Sequence, residues 1–336
     1  MTHVERPVVV PRAGDGSSRH GPSPVRFGVL GATSLVAREA VVPALEASPK
    51  CEVVATASLS RDGPGAYDRL LADEDVEAVY VPLPNGLHRV WVERAAAAGK
   101  HVLCEKPLAL TVADATAMAE ACRSADVCLA EAYMTPFHPR SAVIEEVLRS
   151  GTLGRLHSGF AAFTFPHGDP TDHRWDPDLG GGALLDVGVY CLAPLLAAAG
   201  QSPLGVAAVA SVTERGVDAS LTGLLDLGDG FAATVQVSFC APERQELEVI
   251  GTEGALVVDR AFTPGPADDT FAIVRPDGTL EQRTTGSGDP YRGMVDHVAT
   301  VLRGGADLRR PPAVSIALLE VVERLRAAAG LALPAP

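Results

Sequence analysis

Near Arg155 the hydrophobic rhythm of the chain changes, and no other feature restricts its fold so strongly. Upstream, short apolar runs at Val25–Leu30, Glu52–Ala57, Val76–Val81, Val102–Leu103 and Val127–Ala130 alternate with helix-length segments. The helices fall at Ser34–Ser48, Tyr67–Leu71, Leu87–Ala98, Val112–Arg123 and Pro139–Ser150. Strands that alternate with helices make a parallel sheet covered on both faces, so residues 25–137 predict a doubly wound α/β domain. Downstream, apolar and polar residues alternate over 155–165, 204–213, 220–227, 230–240, 244–250, 254–258, 270–275 and 279–284. That is the pattern of an α+β domain with a mostly antiparallel open sheet, assigned to residues 138–310. Helices at 289–304 and 312–329 close the chain, the last (311–330) expected to pack back on the first domain.

Ligands of an open α/β sheet bind outside the carboxyl ends of its strands, so the residues following each strand are the informative ones. After the first come Gly31, Thr33, Ser34 and Leu35, where a glycine permits close backbone approach and a helix N-terminus faces a pyrophosphate. The second is followed by Ser58-Leu59-Ser60-Arg61, with no acid at the strand tip to take ribose hydroxyls. Serines and an arginine suit a 2′-phosphate, so NADPH is expected in preference to NADH, which Asp62 keeps open. The third ends in Val81-Pro82-Leu83-Pro84-Asn85, whose prolines cannot continue the ladder. The fourth ends in Glu105-Lys106-Pro107, and Lys106 shares this chain with only two other lysines, Lys50 and Lys100.

In the second half, Gly180–Gly182 open an apolar helix, Ala183–Ala199, that carries Asp186 and Tyr190 four residues apart on one face. A carboxylate in such a helix needs a partner, either the tyrosine itself or a group in a site.

Val81-Pro82-Leu83-Pro84-Asn85, Glu105-Lys106-Pro107 and Gly180-Gly181-Gly182-Ala183-Leu184-Leu185-Asp186-Val187-Gly188-Val189-Tyr190 together resemble the Gfo/Idh/MocA family of NAD(P)-dependent oxidoreductases, over about residues 25 to 330. The resemblance implies a Rossmann-type first domain and a cis Lys106-Pro107 bond aiming the ammonium into the cleft. Lys106, Tyr190 and Asp186 become the catalytic candidates, with the ammonium stabilising the phenolate in a proton relay. His88 and Glu105 join the cofactor set of Gly31, Thr33, Ser34, Leu35, Ser58, Ser60, Arg61, Pro82, Leu83, Asn85 and Lys106. The polar loop His167–Trp175 is placed over the substrate, with Arg174 as a fork-shaped donor and Trp175 and Tyr133 as further contacts. The chain departs from the family in three places. Thr33 and Val36 replace small residues of the glycine fingerprint, Thr135-Pro136 alter the motif begun at Glu131, and the segment between Ser58 and Val76 lacks a helix and a short strand. Relatives mostly have histidine at position 190; tyrosine resembles the glucose-fructose oxidoreductase, dihydrodiol dehydrogenase and deoxysugar ketoreductase branches. Asp259-Arg260-Ala261-Phe262-Thr263-Pro264 and Gly216-Val217-Asp218 resemble NDP-deoxysugar 3-ketoreductases of antibiotic pathways.

The expected activity is therefore NADPH-dependent reduction of a keto group on a nucleotide-linked deoxysugar. An NADP-dependent dihydrodiol or aldose dehydrogenase and a non-catalytic sugar or nucleotide sensor are the alternatives. A formal net charge of −14 speaks against nucleic acid and anionic membranes as partners. The six cysteines are dispersed with no Cys-x-x-Cys pair, and the His and Asp of the 167–175 loop lack metal-ligand spacing, so no metal is expected. Residues 1–24 read as a disordered arm without a signal peptide, and no segment reads as long enough to span a membrane. A reduced, cytoplasmic protein is expected, forming a homo-oligomer through the open sheet of its second domain.

Overall fold

The structure, a computed structural model, describes residues 23–332; apart from Ser23 and Pro24, the arm expected at residues 1–24 lies outside the described residues. β1 (Val25–Leu30) turns at Gly31 into a π-helical stretch (Ala37–Val41) and α1 (Val42–Ala47). There follow β2 (Cys51–Ala57), α2 (Leu59–Asp62), α3 (Ala66–Leu71), β3 (Ala78–Val81), α4 (His88–Ala97), β4 (His101–Glu105), α5 (Val112–Ser124), β5 (Leu129–Ala132) and α6 (Pro139–Arg149). The five strands form one parallel sheet in the order β2-β1-β3-β4-β5. The chain leaves β1 toward β2 on one side and returns to β3 on the other, which opens a crevice at the carboxyl ends of β1 and β3. β3 is buried along its whole length because helices cover both faces. Between β2 and β3 lie α2 and α3, one short helix more than the single one expected at Tyr67–Leu71, while the short strand is absent as expected and nothing is added to the sheet.

The second half contains β6 (Leu156–Thr164), a π-helical stretch (Leu184–Gly188) that continues as α7 (Val189–Ala199), then β7 (Gly205–Val212), β8 (Asp218–Asp226), β9 (Ala232–Ser238), β10 (Arg244–Gly251), β11 (Gly254–Asp259), β12 (Thr270–Val274) and β13 (Leu280–Thr284). α8 (Pro290–Leu302) and α9 (Pro312–Ala328) complete it. All eight expected strands form, in the sheet order β13-β12-β11-β10-β6-β9-β8-β7. Only β6 and β9 pair in parallel. The period-two pattern sends Ala161, Phe163, Val235, Val237, Leu247 and Val249 inward, against α7 and its neighbours. On the other face Val209 and Leu224 are 77% and 52% exposed.

α9 touches both halves. Ser315 Oγ donates to Glu131 Oε2 at the end of β5 (2.6 Å), and Glu323 Oε1 accepts from Val112 N at the start of α5 (2.8 Å). On its other side Arg326 pairs with the buried Asp218 of β8.

Two expectations are corrected here. The strand expected at Val127–Ala130 forms two residues later, because Val127 N still closes the end of α5 on Cys122 O (2.9 Å). One stretch, Pro177–Ala199, is long and apolar enough to cross a membrane by length and composition. It packs instead in the core, where Leu184, Leu185, Cys191, Leu192 and Leu195 are all buried.

Candidate active site

β4 ends in a cis Lys106-Pro107 bond, as the resemblance implied, and Lys106 leaves the first sheet toward the helix that opens the second half. Its Nζ donates to Asp186 Oδ1 and to Asp186 O, both at 2.8 Å. An ammonium has three donors, and these bonds occupy two of them. The other carboxylate oxygen, Oδ2, accepts from Arg174 Nε at 2.8 Å. Burial works against the Asp186 carboxylate. The charges and hydrogen bonds of Lys106 and Arg174 outweigh it and hold the group well below the usual carboxylate range.

Asp186 is held in place from behind. Asp218 Oδ2 accepts from Leu184 N (2.7 Å) at the first turn of the π-helical stretch. At Gly182, φ is +124°, and a Cβ there would lie 2.2 Å from Asp218 Oδ1. Thus Gly182, from the motif that carried the family resemblance, and Asp218, from the motif that resembled sugar ketoreductases, anchor the helix that carries the carboxylate.

Tyr190 lies one turn further on, buried among Tyr133, Phe163 and Phe262, with ring centroids 5.1, 5.5 and 6.4 Å away. Lys106 Nζ stands over its ring at 5.1 Å from the centroid. The hydroxyl makes only a weak contact, to Met134 Sδ at 3.9 Å. The expectation that the lysine lowers the phenol's pKa is corrected: burial, followed by nearby Tyr291 and Glu105, pushes it well above the ordinary value. An ammonium over the ring face does not reach the oxygen, and Tyr190 keeps its proton at neutral pH.

Arg174 was expected to be a free donor to substrate. Besides Asp186 it donates through Nη1 to both oxygens of Asp172 at 3.3 Å, so its fork is engaged by protein carboxylates. Trp175 stacks on His167 (6.1 Å) and meets Phe239 edge-on (5.2 Å). Tyr133 stands behind Tyr190 with the Arg310 guanidinium 4.5 Å from its ring centre, which makes it a wall of the cluster.

Along the first sheet, Gly31 takes φ +90°, and a Cβ on it would meet Leu83 Cδ2 at 2.7 Å. Its N–H donates to Ala57 O (2.8 Å), which brings the turn against the end of β2. Ser34 Oγ accepts from Ala37 N at 3.3 Å, starting the helix, and Leu35 is exposed at the turn. At the end of β2, Thr33 Oγ1, Ser58 Oγ and Ser60 Oγ form a chain of hydroxyls with 2.9 Å steps beside Arg61. A glycine turn before a helix, exposed Leu35 and Leu59, and this row of donors fit a dinucleotide across the crevice.

Pro82, Leu83 and Asn85 follow β3, and Asn85 Nδ2 donates to Gly180 O (3.0 Å), tying the crevice to the glycine-rich entry of the second half. His88 does not belong with them. It is fully buried, its ring spanning Leu83 O (Nε2, 2.8 Å) and Pro107 O (Nδ1, 3.0 Å), so it braces the two loops from behind. Glu105 is also turned away, its carboxylate accepting from Tyr80 Oη (2.7 Å) and Lys106 N (3.2 Å). Sequence reasoning did not single out Arg310 or the role of Glu131, which accepts from Leu108 N, Arg310 Nε and Ser315 Oγ and so fixes the chain just beyond Pro107. An acid inside a buried strand was the available signal for Glu131. Nothing in the sequence pointed to a partner as distant as Arg310.

A parallel sheet with a dinucleotide crevice, joined to a second sheet whose first helix meets a lysine at the crevice, defines a nicotinamide-dependent oxidoreductase acting on CH-OH groups. Residues 25–133 match the oxidoreductase family with an NAD-binding Rossmann fold, and residues 142–257 match the GFO/IDH/MocA C-terminal domain. The chain belongs to the Gfo/Idh/MocA family. It is 35% identical over 315 residues to a D-xylose 1-dehydrogenase (NADP(+)) of Haloferax volcanii, covering 89% of this chain and 95% of that one. It is 37% identical over 306 residues to the dTDP-3,4-didehydro-2,6-dideoxy-alpha-D-glucose 3-reductase of Saccharopolyspora spinosa, covering 86% and 90%. Among solved structures, the 3-ketoreductase of Actinomadura kijaniata in complex with NADP and TDP-benzene superposes with a TM-score of 0.83 at 33% identity, covering 91% of this chain and 98% of that one.

Proposed function

We propose that this chain reduces the 3-keto group of a nucleotide-linked deoxysugar with NADPH. Bound in the crevice, NADPH supplies the hydride to the carbonyl carbon. Lys106 directs its third N–H at the carbonyl oxygen and stabilises the charge that develops there. Tyr190 donates the proton: an alkoxide is a stronger base than a phenolate, so a phenol of raised pKa still protonates it. Asp186 holds Lys106, and Arg174 closes the far side of that carboxylate. Arg174 contributes to substrate binding through this arrangement, with Trp175 at the mouth and Tyr133 behind Tyr190. The cofactor is held by Gly31, Thr33, Ser34, Leu35, Ser58, Ser60 and Arg61 on one side and by Pro82, Leu83, Asn85 and Lys106 on the other. Residues 25–137 form the cofactor domain, 138–310 the substrate domain, and 311–330 the helix that joins them.

The observation that carries this reading is the Lys106–Asp186 pair set against Tyr190 at 5.1 Å, in a chain so similar to a sugar 3-reductase. The similarity to the xylose dehydrogenase favours a second reading, oxidation of an aldose with NADP, which the same residues would catalyse in reverse. The family match makes the chain an oxidoreductase and leaves the non-catalytic alternative without support. Six free cysteines suit a reducing, cytoplasmic setting, and exposed Val209, Leu224, Ile250 and Val257 on the outer sheet suit a second copy of the chain.

The test is a scan of dTDP-linked 3-keto-deoxysugars with NADPH and NADH, and of D-xylose with NADP, following reduced-nicotinamide absorbance. Turnover of a keto sugar with NADPH supports the proposal. Turnover of xylose alone transfers the assignment to the second reading.

A further inference from the structure

Arg61, on which the preference for NADPH rests, already has a partner. Its Nε and Nη2 donate to the two oxygens of Asp62, each at 2.8 Å. Nη2 also reaches Thr56 O (3.1 Å) and Thr56 Oγ1 (3.2 Å) at the edge of β2. Asp62 is itself anchored, since Oδ2 accepts from Ser58 N at 2.8 Å and closes the turn after the strand. The same Ser58 carries the central hydroxyl of the Thr33-Ser58-Ser60 row. A carboxylate therefore sits within the group of donors suited to a 2′-phosphate and takes up the fork of Arg61, while Arg69 Nη2 donates to the backbone Asp62 O at 3.1 Å.

We propose that Asp62 sets the cofactor selectivity of this chain: it latches Arg61 against β2, a state that NADH leaves undisturbed and that the 2′-phosphate of NADPH must break or share. The inference rests on the reading of Ser58, Ser60 and Arg61 as the phosphate-binding end of the crevice. Arg61 is half exposed and Asp62 about a third, and an ion pair so placed is weak, so the arginine can swing to the phosphate. Asp62 cannot follow it away, because the Ser58 amide holds it. It stays as a like charge beside the phosphate. Across several ångströms at a dielectric near that of water, a carboxylate and a dianion repel enough to cost about three- to tenfold in affinity. Asp62 thus moderates a preference that the serines and Arg61 would otherwise make stronger.

Asp62→Asn removes the charge and keeps a carbonyl oxygen for Ser58 N. The full chain and the variant are titrated with NADPH and with NADH at low salt, following nicotinamide fluorescence. The variant should bind NADPH about three- to tenfold more tightly and NADH within about twofold of the parent. NADH carries the same pyrophosphate, so it reads out any general effect of removing an acid. An unchanged NADPH to NADH ratio, or weaker NADPH binding, overturns the inference. Equal affinities for NADPH and NADH in both the parent and Asp62→Asn instead overturn the phosphate-site reading beneath it. Asp62→Ser, a small polar cap without charge, repeats the comparison if the asparagine variant melts early.

Discussion

Replacing Asp186 by asparagine removes one negative charge from between two cations. The carboxylate receives Lys106 and Arg174 at 2.8 Å each, and the three side chains are 13%, 15% and 30% exposed. Deleting one partner of a buried ion pair costs about 3 to 5 kcal/mol, because the remaining charge stays buried and uncompensated. Arg174 keeps Asp172 and some solvent, so the lower end applies, about 3 kcal/mol. At about 2 to 4 °C per kcal/mol for a domain of this size, Asp186→Asn should melt roughly 6 to 12 °C below the parent at pH 7. The direction of the pKa shift sets the pH dependence. A carboxyl depressed in the folded state stabilises the fold fully above its unfolded value, about 3.9, and loses that contribution as pH falls toward the folded value. Parent and variant should therefore differ by a constant amount from about pH 5 upward and converge below about pH 4. Thermal melts followed by circular dichroism across that range are the assay. Equal melting temperatures at pH 7, or a gap that widens on acidification, would refute the claim that Asp186 is a buried counter-ion.

Tyr190→Phe should lower turnover by about 10² to 10⁴ while NADPH affinity, measured by fluorescence, stays near the parent value; parent-like turnover would make Tyr190 a packing residue. A Cβ at Gly86 would lie 2.9 Å from the Asp178 carbonyl oxygen, a backbone atom that cannot turn aside. Gly86→Ala should accordingly cost about 1 to 3 kcal/mol and lift the 177–180 loop from Asn85, read as faster proteolysis within residues 167–180.

The fold was legible wherever burial on one or both faces leaves its mark on the residues. The eight strands after Arg155 alternate because one face of their sheet is covered, and each forms within about two residues of its expected ends. Composition fails where two structures want the same residues. Val127 and Cys128 are as apolar as the strand beside them, yet Val127 completes the end of α5. Leu184–Gly188 winds as a π-helix on side chains that suit an α-helix equally well. Leu59–Asp62, which carries no apolar period of its own after β2, forms a single turn of helix in which Asp62 Oδ2 accepts from Ser58 N. In the site, Lys106 and Asp186 stand 80 residues apart, and their meeting was legible only through the family resemblance. Arg174 shows the converse limit. A guanidinium in a polar loop looks like a substrate ligand, but in the fold Asp172 and Asp186 already hold it.

The central claim, that the ammonium at the end of β4 acts on the substrate oxygen, is tested most directly by Lys106→Met. Its side chain fills a similar space without charge or donors. With a dTDP-linked 3-keto-deoxysugar, the variant should still be saturated by raised NADPH, having lost one cofactor contact among many, and lose turnover at saturation by about 10² to 10³, the scale of removing one preorganised donor to a developing oxyanion. Parent-like turnover in a variant shown by fluorescence to hold NADPH would contradict the account and remove Lys106 from the chemistry.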